Sequence, residues 1–205
     1  MNLEGCIKEL DPKFSVEKCY SLVLAAKSVK SATADNVYGI VVVNYAGEVV
    51  YKVYFGEGIP DSSLAYDRVK ETDIFPDKNF PEAYEQMREL VPKRSILFSA
   101  GAGTWANKIF ESIADLYPAV NNSDCYSHVD IVKFCTAIDS GLLPESWDLA
   151  RFAMRSPVTK RQALDKFAWS KGITNKPYLE GPLERATYIN ELVRLYFDKE
   201  VKTPK

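Results

Sequence analysis

Three closely spaced strand patterns near the start of the chain constrain the fold more than any other feature. Residues 19–27 (CYSLVLAAK) form a nearly continuous apolar run of strand length. Residues 37–44 (VYGIVVVN) form a second run, rich in β-branched and aromatic side chains. Residues 48–55 (EVVYKVYF) form a third, reached through a tight Tyr45-Ala46-Gly47 turn. β-Branched and aromatic residues fit a pleated, half-buried surface, and a glycine-containing turn between two such runs signals a hairpin. The polar stretch 28–36 connects the first two runs, so the three strands are expected to pair in sequence as a meander.

Strands and helices then alternate. Asn79-Phe80-Pro81-Glu82 opens a helix, with Asn79 or Phe80 as the cap and Pro81 in the first turn. Its apolar positions Ala83, Tyr84, Met87, Leu90 and Val91 recur at helical spacing. Residues 94–99 (RSILFS) predict a fourth strand, and 124–128 a short fifth one. Helices are expected over about 104–116, 130–140, 146–155, 160–171 and 183–199. The last carries Ala186, Ile189, Leu192, Val193 and Tyr196 on one stripe. This order predicts an α/β sheet flanked by helices. Residues 1–17 read as a leader or capping segment, 18–199 as one domain, and 200–205 as a tail.

Charge narrows the function classes. The 205 residues carry a formal net charge of −2, which argues against a protein that coats nucleic acid through a generally basic surface. A local basic groove stays compatible with that total. No long uncharged apolar run predicts a membrane span. The first residues interleave charges with apolar groups and lack a signal-peptide core, so an intracellular location, cytoplasm or nucleus, is expected. The four cysteines form no CxxC pair and read as reduced thiols.

The meander, the helix FPEAYEQMREL and the strand-loop-helix text SILFSAGAGTWANKIFESIA together resemble the DEDDh branch of the DEDD 3′–5′ exonucleases. The resemblance covers about residues 19–197. It implies an RNase H-like α/β sandwich with a five-stranded mixed sheet in the order 3-2-1-4-5. Active members carry an Asp-x-Glu pair at the end of the first strand that holds two divalent metals. The matching positions here are Ala25 and Lys27. The family's next Asp falls at or near Trp105. In the final helix, EGPLERATYINELVRLY places Arg185 at the catalytic Asp and Glu180 at the general-base His. A methyl group cannot bind Mg²⁺, an ammonium repels it, and two-metal hydrolysis needs oxygen ligands. The resemblance therefore implies a catalytically inactive exonuclease-like domain with no metal and no cofactor, acting as a protein- or RNA-binding module.

Two other function classes fit the same residues. One is a divergent active 3′–5′ exonuclease with unaligned ligands, and the other an assembly subunit without nucleic-acid contact. Lys27, Lys30 and Arg185 are the candidate phosphate contacts for single-stranded RNA or DNA. The bland alternative is that Lys27 and Arg185 are solvated or paired with Glu184 or Asp165. Tyr45, Tyr51, Tyr54, Trp105, Trp147 and Trp169 could stack bases, or serve as core and partner contacts. Cys125, His128 and Cys135 form C-x₂-H-x₆-C, which is not a standard zinc spacing, so core thiols are the simpler reading. The 100–103 run (AGAG) lacks the Gly-Lys-Ser/Thr of a phosphate loop and reads as close strand-to-helix packing.

Overall fold

Side-chain alternation and β-branched content build the sheet, and the computed structural model describes residues 1–27, 36–56, 59, 69–100, 126–156, 163–176 and 181–201 of it and its flanking layers. Strands β1 (Cys19–Ala26), β2 (Val37–Asn44) and β3 (Val49–Phe55) form the expected antiparallel meander. The turn between β2 and β3 closes because Gly47 adopts φ 92°, a left-handed value that disfavours a Cβ. Asn44 completes it by accepting the Glu48 amide at 2.9 Å and donating to the Glu48 carboxylate at 2.9 Å. Strands β5 (Ser95–Ser99) and β6 (Tyr126–Asp130) add in parallel beside β1.

A two-residue strand, β4 (Ile74–Phe75), pairs in parallel with Tyr54 and Phe55 of β3. The sheet therefore has six strands in the order β4-β3-β2-β1-β5-β6, where five were expected. The five expected strands keep their order as β3-β2-β1-β5-β6, with β4 added beside β3. Two residues inside a polar stretch are too short to show the period-two alternation that reveals a strand.

Helices cover both faces. Helix α2 (Phe80–Leu90) begins with Asn79 as its cap, in a reciprocal capping box with Glu82. Its Phe80, Ala83, Tyr84 and Met87 cover Tyr20, Leu22, Ile40, Val42, Val53 and Leu97 on one face of the sheet. The other face is covered by α6 (Pro182–Phe197), supported by α1 (Leu3–Leu10), α3 (Ile131–Asp139), α4 (Leu149–Met154) and α5 (Leu164–Ser170). Ile189, Leu192, Val193, Tyr196 and Phe197 of α6 join Cys19, Ile96, Phe98 and Val129 of the sheet in this larger core. Residues 1–17 are part of it: Leu3, Ile7 and Phe14 are buried there. The helix expected over 104–116 and the AGAG run after Ala100 lie outside the described residues. No described helix is long and apolar enough to cross a membrane.

Candidate functional site

The carboxyl end of β1 is where the resemblance places its first catalytic motif, and local strand geometry decides what stands there. Ala25 pairs with Gly39 of β2, but Ala26 pairs with Val37. Tyr38 is thus the extra residue of a β-bulge, which re-aims a side chain at the cost of one ladder position. Tyr38 lies beside Ala25 and Tyr54 in a small buried cluster, with Ile59, Val69 and Ile74 packed against it. The Tyr38 and Tyr54 rings stack at 6.3 Å between centroids, and Tyr54 is fully buried. Ala25 is 5% exposed. The Ala25 face of the strand end is therefore filled by packed aromatic rings.

Gly39 makes this packing possible. A Cβ on Gly39 would stand 2.9 Å from Cδ1 of Tyr54 and 3.1 Å from the Val53 carbonyl oxygen. The isolated glycine in VYGIVVV is the sequence signal of this close approach. Gly39→Ala is expected to destabilise the protein by about 1–3 kcal/mol, the usual range for overpacking a filled site. Equilibrium urea unfolding measures it. A variant as stable as the parent would mean that Tyr54 is free to move and that the cluster is not a packed plug.

Of the expected charged residues, Lys27 stands just after β1 and Arg185 on α6. Lys27 follows β1 with its side chain exposed, and its amide donates to the Asn36 carbonyl at 2.9 Å. Arg185 lies in the second turn of α6, and its guanidinium is 2.9 Å from the Asp165 carboxylate of α5. Its neighbour Glu184 is 3.3 Å from Lys176. The next residue, Ala186, is fully buried in a cluster with Val41 and Val43, so a small side chain lets α6 approach β2 closely. Arg185 thus stands on the face of the sheet covered by α6, engaged with a neighbouring helix. Trp105, Glu180 and Lys30 lie outside the described residues.

The acid at the carboxyl end of β6 is also engaged. Asp130 caps α3, its carboxylate accepting the amides of Val132 at 3.0 Å and Lys133 at 3.1 Å. His128 and Cys135 do not converge. Alternation along β6 puts His128 on the α2 side of the sheet, opposite Val129, whereas Cys135 is buried with Val129 in the larger core. Burial pushes the His128 imidazole down to about 4. Cys125 lies outside the described residues. Among the described residues, no three His, Cys, Asp or Glu side chains gather as a metal site would require.

The aromatic candidates divide by burial. Tyr54 belongs to the plug and is closed to a base. Tyr45 packs edge-on against Phe197 at 6.5 Å. Tyr51 is half-buried, with its hydroxyl donating to Gln86 at 3.2 Å. Trp147 and Trp169 are 54% and 55% exposed, which leaves their indoles available for contacts. Trp105 lies outside the described residues. No protein-family model matches the chain, and no curated protein matches its sequence.

Proposed function

We propose that this chain is an exonuclease-like domain without metal-dependent hydrolysis that works as a binding module, with a protein as its main partner. One observation carries the reading. Where a two-metal nuclease of this plan needs its first carboxylate, the chain has the methyl group of Ala25 beneath the stacked Tyr38 and Tyr54 rings. Mg²⁺ and Mn²⁺ sites are built from oxygen ligands, and neither Ala25 nor the aromatic faces around it supply a carboxylate.

The choice of a protein over RNA rests on charge and exposure. The net charge of −2 gives little general attraction to phosphates. Arg185 is already bound to Asp165, so a phosphate would have to compete with a carboxylate for it. Trp147, Met154 and Trp169 are exposed, and tryptophan and methionine are enriched where proteins meet.

A salt series of single-stranded RNA titrations tests this. Affinity is expected to lie within the non-specific range of roughly 10⁻⁴–10⁻⁶ M at physiological salt. Lys27→Gln combined with Arg185→Gln should lower the salt slope by at most about two units, one per lost contact. Sub-micromolar RNA binding that the double variant leaves unchanged would place a nucleic-acid site elsewhere and overturn the protein-partner reading.

A further inference from the structure

We infer that α1 and residues 199–201 form one latch, fastened to the body of the domain by Lys199 on Asp139, which opens as a unit while the sheet stays folded. Two backbone hydrogen bonds join its parts: the Leu3 amide donates to the Lys199 carbonyl at 3.1 Å, and the Val201 amide to the Met1 carbonyl at 3.0 Å. Between them lies an antiparallel bridge from Asn2 to Glu200. Asn2 also caps α1, accepting the Gly5 amide at 3.0 Å. The pairing that holds residues 199–201 is thus continuous with the first turn of α1.

The fastening is a small charged cluster. Lys199 Nζ stands 2.7 Å from one oxygen of Asp139, at the end of α3. The other oxygen accepts from the Tyr196 hydroxyl at 2.6 Å and from Lys171. Lys171 and Lys199 also lie over the Tyr196 ring, at 5.7 and 5.1 Å from its centroid. One carboxylate therefore joins the ends of α3 and α5 to the segment that carries α1.

This geometry makes α1 separable. Its eight residues make about two turns, too few for a stable helix in isolation. Only Leu3, Cys6 and Ile7 are buried, whereas Lys8, Glu9 and Leu10 are exposed. Its position depends on docking and on the bridge to residues 199–201. The sheet is held by the β1–β2 and β2–β3 ladders and by buried residues on both faces. Segments with few buried contacts open at lower free energy than central strands.

Three buried thiols among the described residues test this motion. Cys6 lies on α1, and Cys19 begins β1 close enough to α1 that, after burial, the Glu4 carboxylate is what raises its thiol. Cys135 is fully buried in α3, outside the latch. The experiment is labelling of the full chain with N-ethylmaleimide, with each cysteine followed separately by mass spectrometry at low urea concentrations. Cys6 and Cys19 are expected to react faster than Cys135, with rates that barely rise with urea below the unfolding transition. Lys199→Met should accelerate Cys6 and Cys19 about three- to tenfold, the effect of losing one partly exposed charge-assisted contact, and leave Cys135 unchanged. Reaction of all three thiols at one urea-dependent rate in the parent protein would overturn the inference. So would unchanged Cys6 and Cys19 rates in Lys199→Met. The parent measurement stands alone if that variant does not fold.

Discussion

Replacing Phe197 with alanine is expected to remove about 3–5 kcal/mol of stability, the range for deleting a buried phenyl group and leaving a cavity. Phe197 has no exposed surface. Its ring centroid lies 5.7 Å from Phe14, 5.9 Å from Phe134, 6.1 Å from Phe98 and 6.5 Å from Tyr45. These partners come from the segment before β1, from α3, from β5 and from the β2–β3 turn. One ring therefore holds the end of α6 against four parts of the fold, and no single neighbour can relax into its space. Domains of this size are stable by only about 5–15 kcal/mol in total. Phe197→Leu should cost less, about 1–2 kcal/mol, because most of the volume stays filled. Urea midpoints at unchanged slope measure both. A cost below about 1 kcal/mol for alanine would show that the aromatic cluster is not the centre of the core.

Acid should weaken the protein well above the usual carboxylate range. His128 is the only histidine, and burial lowers it from its ordinary 6.5 to about 4. The unfolded chain therefore binds a proton before the folded one does. Stability is fully present above pH 6.5 and is lost as the pH falls from 6.5 towards 4. The slope is at most about 1.4 kcal/mol per pH unit, and the loss over the window about 2–3 kcal/mol, since the ring is not wholly shielded. Asp139 acts in a lower window. Burial raises its carboxyl, but bonds from Lys171, Lys199 and Tyr196 outweigh this and hold it below 3.8, so its contribution is lost only as the pH falls through that depressed value. Urea midpoints between pH 7 and 4, compared with those of His128→Gln, separate the two groups. A parent protein whose pH dependence in this window matches that of the variant would mean that His128 is reached by water in the folded state.

Much of the fold was legible because its strands and helices are long and periodic. The β1–β3 meander, α2 with its Asn79 cap, and the α6 stripe all carry a repeat matching their geometry. β4 was not legible, because its two residues owe their pairing to the exposed edge of β3. The Arg185–Asp165 pair was among the sequence alternatives, but its choice over a phosphate contact needed the packing of α5 against α6. At the strand end, Ala25 and Lys27 could be located from sequence order alone. The plug beside them could not, because the β-bulge turns Tyr38 onto the side where Tyr54 lies. Gly39 was the visible trace of it, a glycine inside a strand whose reason is a ring from the neighbouring strand. The Asp139 cluster left no sequence trace, since it joins residues 139, 171, 196 and 199 across three helix ends.

The proposal that this domain binds without cutting rests on the packed Ala25, Tyr38 and Tyr54 cluster at the carboxyl end of β1. The most direct measurement follows the 3′ ends of labelled single-stranded RNA and DNA incubated with the pure full chain and Mg²⁺ or Mn²⁺. Both substrates are expected to keep their 3′ ends at enzyme-to-substrate ratios where an active two-metal nuclease would degrade them. Progressive 3′ trimming that EDTA abolishes would contradict it, because oxygen ligands would then have to form a metal centre despite Ala25 and the rings that cover it.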